Sequence, residues 1–305
     1  MPATLAMPDI ANGASSRLRV GCGSANMWLG RMGAESLDEQ VAKAARAYSA
    51  AADHYSRPAL GFWDRFGAAT VERVRLAPGQ AVLDLCCGAG ASAIPAARAV
   101  GPLGRVLGVD VAAPLLESAR ARAAAEGLGN IAFRHGDARS TRLPSASFDC
   151  VICVFGVFFA SDMPAFMAEM WRLVRPSGRL AVTTWGPGLF EPANSIFWDA
   201  VRGLQPGLCK AFNPWDEITT PTALRSLCER AGIESAVCEA VAGQHRLAGP
   251  EDFWDVVLGS GYRATVESLA ADKREALREH VLAAVRDQAV TVLRTDVVYG
   301  IAERG

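Results

Sequence analysis

The stretch Ala81-Val-Leu-Asp-Leu-Cys-Cys-Gly-Ala-Gly90 decides the fold class of this protein. Its first half, residues 81–85, is an apolar run too short for a helix, and it predicts a buried strand. Gly88 and Gly90 then allow a tight turn in which the backbone can approach a ligand closely. Residues 91–100 are good helix formers and predict a helix directly after the turn. Strand, glycine turn and helix in this order are typical of the first unit of a nucleotide-binding α/β domain.

The alternation of strand and helix continues on the carboxyl-terminal side of this unit. Strands are predicted at 105–110, 131–135, 148–155 and 179–185, with a turn at 176–178 and helices at 113–126 and 164–174. Further on, we expect helices at 221–232, 250–259 and 270–287, a strand at 233–247, and a last strand at 289–302 that is broken at Gly300. This order predicts an α/β fold with a doubly wound, Rossmann-like, mostly parallel seven-stranded sheet.

The chain is expected to divide into a leader and one domain. Residues 1–36 are rich in small residues without a sustained period, and they predict a disordered leader. Residues 37–305 predict a single domain with four parts. These are an N-terminal helical cap at 37–76 with helices at 37–52 and 59–74, a ligand-binding core at 77–185, an aromatic insert at 186–220 that covers the ligand edge as a lid, and carboxyl-terminal strands and helices at 221–305.

Composition narrows the possible partners. The net charge of −1 and the pI near 6.4 give no electrostatic support for nucleic-acid binding. No apolar run is long enough to span a membrane and no export signal is visible, so we expect a cytoplasmic protein. The eight cysteines are then expected to be free thiols. Cys150 and Cys153 fall on opposite faces of a predicted strand, so no metal site is expected.

Three aspartates follow or end successive predicted strands. Asp84 lies in the first strand, Asp110 ends the second, and Asp137 follows the third. A phosphate-binding turn would direct backbone N–H groups at an anion, whereas a cationic ligand requires carboxylates nearby. Asp110 is well placed to hold ribose hydroxyls, and Asp137 could accept a hydrogen bond from the exocyclic amine of adenine. The three carboxylates together fit a cationic nucleoside better than a pyrophosphate.

Five segments resemble the motifs of one known family. They are Val82-Leu-Asp-Leu-Cys-Cys-Gly-Ala-Gly90, Val106-Leu-Gly-Val-Asp110, Gly136-Asp-Ala138, Phe148-Asp-Cys-Val-Ile-Cys-Val-Phe-Gly156 and Glu169-Met-Trp-Arg-Leu-Val-Arg-Pro-Ser-Gly-Arg-Leu180. In this order they resemble class I S-adenosylmethionine-dependent methyltransferases, in the branch that includes ubiquinone/menaquinone-type and small-molecule enzymes. Val154, where this branch often has glutamine, and Ser177, where a second glycine is usual, depart from the pattern.

The resemblance implies S-adenosyl-L-methionine as cofactor, with S-adenosyl-L-homocysteine as product. It implies cofactor contacts from Asp84, Gly88, Gly90, Asp110, Val111, Asp137, Ala138 and Phe155, and from Tyr55 and Tyr48 as aromatic residues that close over the cofactor. The chemistry is then methyl transfer by in-line displacement, in which positioning supplies much of the catalysis.

The acceptor side is less marked in the sequence than the cofactor side. The aromatic insert suggests a small apolar or ring-bearing acceptor, with Trp185, Phe190 and Trp198 as the residues that contact it. If a general base is needed, Glu191 and His135 are the candidates. Three alternatives stay open: a nicotinamide-dependent oxidoreductase on the same fold, a thiol-based arsenite methyltransferase, and a cofactor-binding relative without enzymatic activity. The sequence leaves the acceptor, the methylated atom and the oligomeric state open.

Overall fold

A computed structural model of the protein describes residues 37–209 and 213–305. The predicted leader at 1–36, and residues 210–212 of the predicted insert, lie outside the described residues. Residues Leu37–Gly305 form one compact unit.

The centre of this unit is a seven-stranded sheet. Its strands are β1 (Ala81–Leu85), β2 (Arg105–Asp110), β3 (Ile131–His135), β4 (Phe148–Val154), β5 (Val174–Trp185), β6 (Val237–Val241) and β9 (Val297–Glu303), in the spatial order β3-β2-β1-β4-β5-β9-β6. The pairs from β3 to β5 are parallel, and β9 runs antiparallel to both β5 and β6. A short antiparallel pair, β7 (Gln244–Arg246) and β8 (Val292–Arg294), forms a second sheet. The predicted mostly parallel, doubly wound sheet is confirmed.

Helices flank the large sheet on both faces. They are α1 (Leu37–Ala51), α2 (Phe62–Val74), α3 (Ala93–Val100), α4 (Ala113–Ala125), α5 (Met163–Leu173), α6 (Ala193–Leu204), α7 (Pro221–Arg230), α8 (Pro250–Leu258), α9 (Arg263–Glu267) and α10 (Ala271–Asp287). Strand β1 shows how the two faces arise, because its successive side chains alternate between them. Leu83 and Leu85 belong to one apolar cluster and Val82 to another, so this strand is covered on both sides.

The predicted aromatic insert at 186–220 contains a regular helix. Helix α6 begins directly after Pro192, which occupies its N-terminal cap position, where proline does not remove a helical hydrogen bond. Ile196, Phe197, Ala200 and Val201 recur at helical spacing and are buried. Helix α6 was not predicted from the sequence. The short helix α9 was also not predicted.

The predicted strand at 233–247 is divided between the two sheets as β6 and β7. Gly243 lies between them, where a Cβ atom would come within 2.2 Å of the carbonyl oxygen of Thr295. Only glycine permits that approach. The last predicted strand is likewise divided, but at residues 295–296 and not at Gly300. Gly300 lies inside β9, where a Cβ atom would come within 2.9 Å of Leu224 in α7, so it allows that helix to pack closely on the sheet.

The turn predicted at 176–178 is an irregularity within a continuous strand. Strand β5 starts at Val174 and passes through this segment. Ser177 adopts a left-handed conformation with φ of 61°, and the register between β4 and β5 shifts between Phe148 and Cys150. Within the described part of the chain, no helix combines the length and the apolar character that crossing a membrane requires.

Candidate functional site

A narrow cavity lies at the carboxyl-terminal ends of β1 and β4, the two central strands. The chain order reverses between these strands, and open α/β sheets bind ligands at such a switch point. The cavity has a volume of about 70 Å³. Its walls combine the turn after β1 with aromatic side chains, and the lining includes Tyr48, Tyr55, Gly88, Asp110, Phe155 and Phe159.

The glycine turn after β1 has the backbone that its sequence predicts. Gly88 and Gly90 have φ angles of 50° and 85°, in the region that favours glycine. Cys86 has a φ of 58° as well, although it carries a side chain. Phe155, at the end of β4, has a φ of 55°. Two non-glycine residues in this conformation face one cavity, and such local strain is concentrated at functional sites in proteins.

Asp110 closes the turn from the neighbouring strand β2. Its Oδ2 accepts a hydrogen bond from the backbone N–H of Gly88, and its Oδ1 accepts one from the N–H of Ala112, both at 2.8 Å. Burial raises the pKa of Asp110, and hydrogen bonds from the backbone of Ala112, Gly88 and Val111 oppose this rise. The carboxylate therefore sits in the cavity wall with its orientation held by the two backbone segments between which it lies.

Asp84 is a fully buried carboxyl group beside the same turn. Its Oδ2 accepts a hydrogen bond of 2.7 Å from the hydroxyl of Ser92, which lines the cavity. Its Oδ1 has no hydrogen-bond partner among the described residues. Burial raises the pKa of Asp84 to about 7, and the negative charge of Asp110 adds to the rise, while hydrogen bonds from the Ser92 hydroxyl and the Ala93 backbone oppose it. Asp84 does not itself line the cavity, but its unpartnered oxygen is a vacant acceptor position next to Ser92, which does.

Asp137 has a different environment from the other two aspartates. Its Oδ1 and Oδ2 both accept hydrogen bonds from the guanidinium of Arg139, and Oδ1 also accepts one from the N–H of that residue. Burial would raise the pKa of Asp137, but the hydrogen bonds from Arg139 outweigh it and the pKa is lowered. Asp137 caps the short 3-10 turn Ala138–Ser140, in which Ala138 is buried. Neither Asp137 nor Ala138 lines the cavity.

Aromatic rings form the wall opposite the glycine turn. The ring of Tyr55 stacks on Trp63 with 5.5 Å between the centroids and an angle of 3°. The ring of Tyr48 meets Phe159 edge-on at 5.4 Å, and Phe155 meets Trp63 edge-on at 5.6 Å. Burial raises the pKa of both tyrosine hydroxyls. These hydroxyls therefore remain protonated through the neutral pH range.

Eight of the thirteen described residues that line the cavity were not predicted as site residues from the sequence. Trp63 and Phe159 contribute rings to the wall, and Cys86 contributes a thiol. A signal for Trp63 was present, since Phe62 and Trp63 are consecutive at the start of α2 and two consecutive helix positions cannot both point straight into one core. Val154, which stands where the resembling branch often has glutamine, also lines the cavity. With valine at this position the wall lacks the hydrogen-bonding group that glutamine would supply.

The thiols of Cys86 and Cys153 meet beneath the cavity. Both sulfur atoms lie within 2.8 Å of the position that a Cβ atom on Gly156 would take, and a hydrogen bond between the thiols raises the pKa of Cys86, as does burial. Cys150 packs in the apolar cluster on the other face of the sheet from Cys153, as its position in the strand predicted. Among the described residues, no three histidine, cysteine or acidic side chains are grouped as metal ligands.

Neither candidate general base lines the cavity. Glu191 accepts hydrogen bonds from the side-chain amide of Asn194 and from the backbone and hydroxyl of Ser195, at the start of α6. His135 is exposed at the end of the edge strand β3, and its Nε2 lies 3.0 Å from the carbonyl oxygen of Val111. Two of the predicted cofactor-binding residues, Val111 and Gly90, also lie in segments next to the cavity but do not line it.

The three residues predicted to contact an acceptor lie behind the wall. Trp185 stacks on Phe155 with 3.8 Å between the centroids and an angle of 11°. Phe190 is 2% exposed and packs against Trp185. Trp198 packs against Tyr262, on the far side of this aromatic cluster. Direct contact of Trp185, Phe190 and Trp198 with an acceptor stays a prediction, and the structure shows them as packing partners of the wall.

A larger groove of about 1010 Å³ lies at the opposite, amino-terminal edge of the sheet. It is lined by the starts of β2, β3 and β4 and by the loops before them, including Arg105 and Asn130. Its described lining contains no carboxylate and no non-glycine residue in a left-handed conformation. The smaller cavity is therefore the candidate functional site, because buried ionisable groups and backbone strain coincide there.

Comparison with known proteins relates the central part of the chain to methyltransferases. Residues 82–178 match the model of a methyltransferase domain. The chain is 42% identical over 106 residues to nocamycin O-methyltransferase from Saccharothrix syringae, which covers 35% of this chain and 38% of that protein. It is 34% identical over 139 residues to aklanonic acid methyltransferase DauC from Streptomyces sp. (strain C5), and the match covers 46% of this chain and 63% of that protein. A demethylmenaquinone methyltransferase from Geobacillus kaustophilus is 36% identical over 121 residues, and the match covers 39% of this chain and 52% of that protein.

The matched regions thus span between 38% and 63% of these curated relatives. The fold is also that of a solved structure, the phosphoethanolamine N-methyltransferase 2 of Haemonchus contortus in complex with phosphomonomethylethanolamine and S-adenosylhomocysteine. That structure superposes with a TM-score of 0.54 at 15% identity, over 88% of this chain and 60% of the other. The motifs, the strand order and the matched domain agree with one another. Residues 82–178 therefore belong to the class I S-adenosylmethionine-dependent methyltransferases in sequence and in fold.

Proposed function

We propose that the protein transfers a methyl group from S-adenosyl-L-methionine to a small, ring-bearing acceptor. The observation that carries this proposal is the pair of carboxylates at the glycine turn. Asp110 already accepts a hydrogen bond from the backbone N–H of Gly88. The buried Asp84 has an oxygen without a partner among the described residues. This arrangement favours a cationic nucleoside.

The same arrangement argues against a nicotinamide dinucleotide, the alternative cofactor for this fold. A pyrophosphate is bound by free backbone N–H groups at a glycine turn and the helix that follows it. Here the N–H of Gly88 donates to Asp110, and a second buried carboxyl group, Asp84, lies in the adjoining strand. A doubly charged anion at this position would be repelled by both carboxylates.

We assign the cofactor contacts as follows. Asp84 holds the ammonium group of the methionine moiety, and Gly88 and Gly90 let the backbone pass close to it. Asp110 and Val111 hold the ribose, and Asp137 with Ala138 contacts the adenine. Since the carboxylate of Asp137 is bound by Arg139, the adenine contact at this site involves the exchange of one of those hydrogen bonds. Phe155 and Tyr55 pack against the bound molecule.

The cavity of about 70 Å³ is far smaller than a nucleoside, since a single water in the liquid takes up about 30 Å³. Tyr48 in α1 and Tyr55 in the turn after it therefore move outward when the cofactor binds, and they close over it afterwards. Both belong to the amino-terminal segment of the described chain, which supports the proposed cap at 37–76.

S-adenosyl-L-methionine, when bound, supplies a methyl group that is already activated on a sulfonium. The protein then acts mainly by positioning: the glycine turn and Asp110 orient the cofactor, and the aromatic wall excludes water and presents the acceptor in line. The ring-lined wall and the named small-molecule methyltransferases among the relatives support a small apolar or ring-bearing acceptor. We propose no nucleic-acid partner.

Calorimetric titration of the full chain tests the cofactor assignment. S-adenosylmethionine and S-adenosylhomocysteine are expected to bind and NAD is not. The variant Asp110→Ala should lose most of the binding, whereas Asp199→Ala, an exposed aspartate of α6, should not. Binding of NAD in preference to S-adenosylmethionine would overturn the proposal, and cofactor binding without turnover on any small-molecule acceptor would indicate a non-enzymatic relative.

A further inference from the structure

The indole N–H of Trp63 is a buried donor that the assignments above do not use. Trp63 is 7% exposed and lines the cavity. Its Nε1 is closed off from water and has no hydrogen-bond partner among the described residues. Buried indole N–H groups in folded proteins normally have an acceptor, so this donor is a vacant hydrogen-bonding position beside the cavity.

The orientation of this indole is fixed by its neighbours. Phe155 meets it edge-on at 5.6 Å, and Trp185 packs at 5.7 Å with a tilt of 57°. Phe62, the preceding residue, packs against it at 4.7 Å. A ring held on several sides retains little rotational freedom, which is the condition under which one donor can select the position of a ligand atom.

The two tyrosine hydroxyls on this wall are also donors. The hydroxyls of Tyr48 and Tyr55 stay protonated because burial raises the pKa of both, so neither can take a proton from an acceptor at neutral pH. The carboxylate of Asp110 already accepts two backbone hydrogen bonds. The indole and the two tyrosine hydroxyls therefore offer hydrogen-bond donors to an oxygen of a bound acceptor, and none of the three is suited to remove a proton from it.

We propose that Trp63 is a specificity-determining residue, whose Nε1–H binds the reacting oxygen of a planar acceptor that is already ionised. The acceptor class is a carboxylic acid, an acidic enol or an acidic phenol on a flat ring. Its ring lies between the aromatic side chains, and its oxygen faces the methyl donor. The methyl group forms a bond with this oxygen, the bond from methyl to sulfur breaks with its electron pair remaining on the sulfur, and no proton is transferred. This inference rests on the proposed methyltransferase function.

Binding of defined probes to the full chain saturated with S-adenosylhomocysteine tests the inference. The anionic probes are 2-naphthoate and the enolate of 4-hydroxycoumarin, and the matched neutral compounds are methyl 2-naphthoate and coumarin. At neutral pH, each anion is expected to bind about tenfold more tightly than its neutral analogue, as a hydrogen bond to a charged group predicts. In nitrogen-15 spectra of the seven tryptophans, the indole signal that is missing in Trp63→Phe is expected to move when an anionic probe is added.

Variants separate the role of the donor from that of the ring. Trp63→Phe should lose most of the preference for the anions, and Trp63→His, which retains a ring N–H, should restore part of it. The control Trp171→Phe changes a half-buried tryptophan of α5 that packs under Arg304 and should leave probe binding unchanged. If Trp63→Phe does not fold, the comparison of anionic with neutral probes on the unmodified chain and the Trp63→His variant carry the test.

Four results would overturn the inference. They are equal affinity for anionic and neutral probes, binding of neither anionic probe, an unchanged anion preference in Trp63→Phe, and a parallel loss of S-adenosylhomocysteine affinity in that variant. The last result would assign the indole N–H to the carboxylate of the methionine moiety. Failure of the proposed function itself is separate, because it would appear as absence of S-adenosylhomocysteine binding to the unmodified chain before any probe is added.

Discussion

Asp84 provides the sharpest test of the site, because its burial couples stability and ligand binding to pH in opposite ways. The pKa of this carboxyl is raised from its ordinary value of 3.8 to about 7. A carboxyl whose folded pKa is raised binds its proton more tightly in the folded protein than in the unfolded chain. Its effect is therefore neutral below pH 3.8, and it destabilises the fold progressively as the pH rises to about 7, above which the loss is constant.

The magnitude follows from the pKa difference. Each pKa unit corresponds to about 1.4 kcal/mol, so the rise from 3.8 to about 7 predicts that ionisation of Asp84 costs the folded protein about 4 kcal/mol. The variant Asp84→Asn has no group that titrates at this position. The free energy of unfolding of the variant, minus that of the unmodified protein, should therefore increase by about 4 kcal/mol between pH 4 and pH 8.

Ligand binding should show the opposite preference. If ionised Asp84 holds an ammonium group, the dissociation constant of S-adenosylhomocysteine should rise about tenfold for each pH unit below 7 and stay level between pH 7 and 8. Asp84→Asn should bind it at least tenfold more weakly at pH 8, with little dependence on pH. Urea unfolding and calorimetry across this pH range measure both effects, and Asp199→Asn serves as an exposed control. Identical pH dependence of stability and affinity in Asp84→Asn and the unmodified protein would refute the reasoning.

Three further variants test the surroundings of the cavity. Gly156→Ala would place a Cβ atom 2.6 Å from that of Cys86, and we expect a loss of about 1–3 kcal/mol in the free energy of unfolding; an unchanged urea midpoint would contradict this. Glu191→Gln weakens the hydrogen bonds at the start of α6. It should lower the free energy of unfolding by about 1 kcal/mol while kcat stays within twofold. A large loss of kcat at full stability would instead identify Glu191 as the general base. Phe190→Ala leaves a cavity in the core, so we expect it to lower the free energy of unfolding by about 3–5 kcal/mol and the thermal midpoint with it, while the affinity for S-adenosylhomocysteine stays unchanged. A raised acceptor KM without loss of stability would instead show that Phe190 contacts the acceptor.

The central sheet could be predicted from the sequence because its signals are local. Each strand from β1 to β4 is a short apolar run between turn residues, and their predicted starts agree with the structure. The predictions failed where long-range packing decides the conformation. Gly243 divides one predicted strand because of its contact with Thr295, and Gly300 stays inside β9 because of its contact with Leu224. Neither contact can be read from neighbouring residues.

The candidate site shows the same division between local and long-range information. The positive φ angles of Gly88 and Gly90 follow from the residue type, and they were anticipated. The partners of the aspartates were not, because Arg139 binds Asp137 across a short turn while Asp84 is left with one free oxygen. The rings of Trp63 and Phe159 come from a helix and from a short turn distant in sequence, so only the folded chain brings them to one wall.

Four local costs of the described structure occur at or next to the small cavity, and they distinguish it from the wider groove. Cys86 and Phe155 hold strained backbone conformations at the ends of β1 and β4. Asp84 and Trp63 each bury a polar atom without a described partner. A fold gains nothing from these four features when it is free, because each lowers its stability. Their occurrence together favours a site where a ligand satisfies the polar groups and uses the close backbone approach. The wide groove at the other edge of the sheet carries none of these costs in its described lining, so its larger volume is a weaker indication of function than the strain around the small cavity.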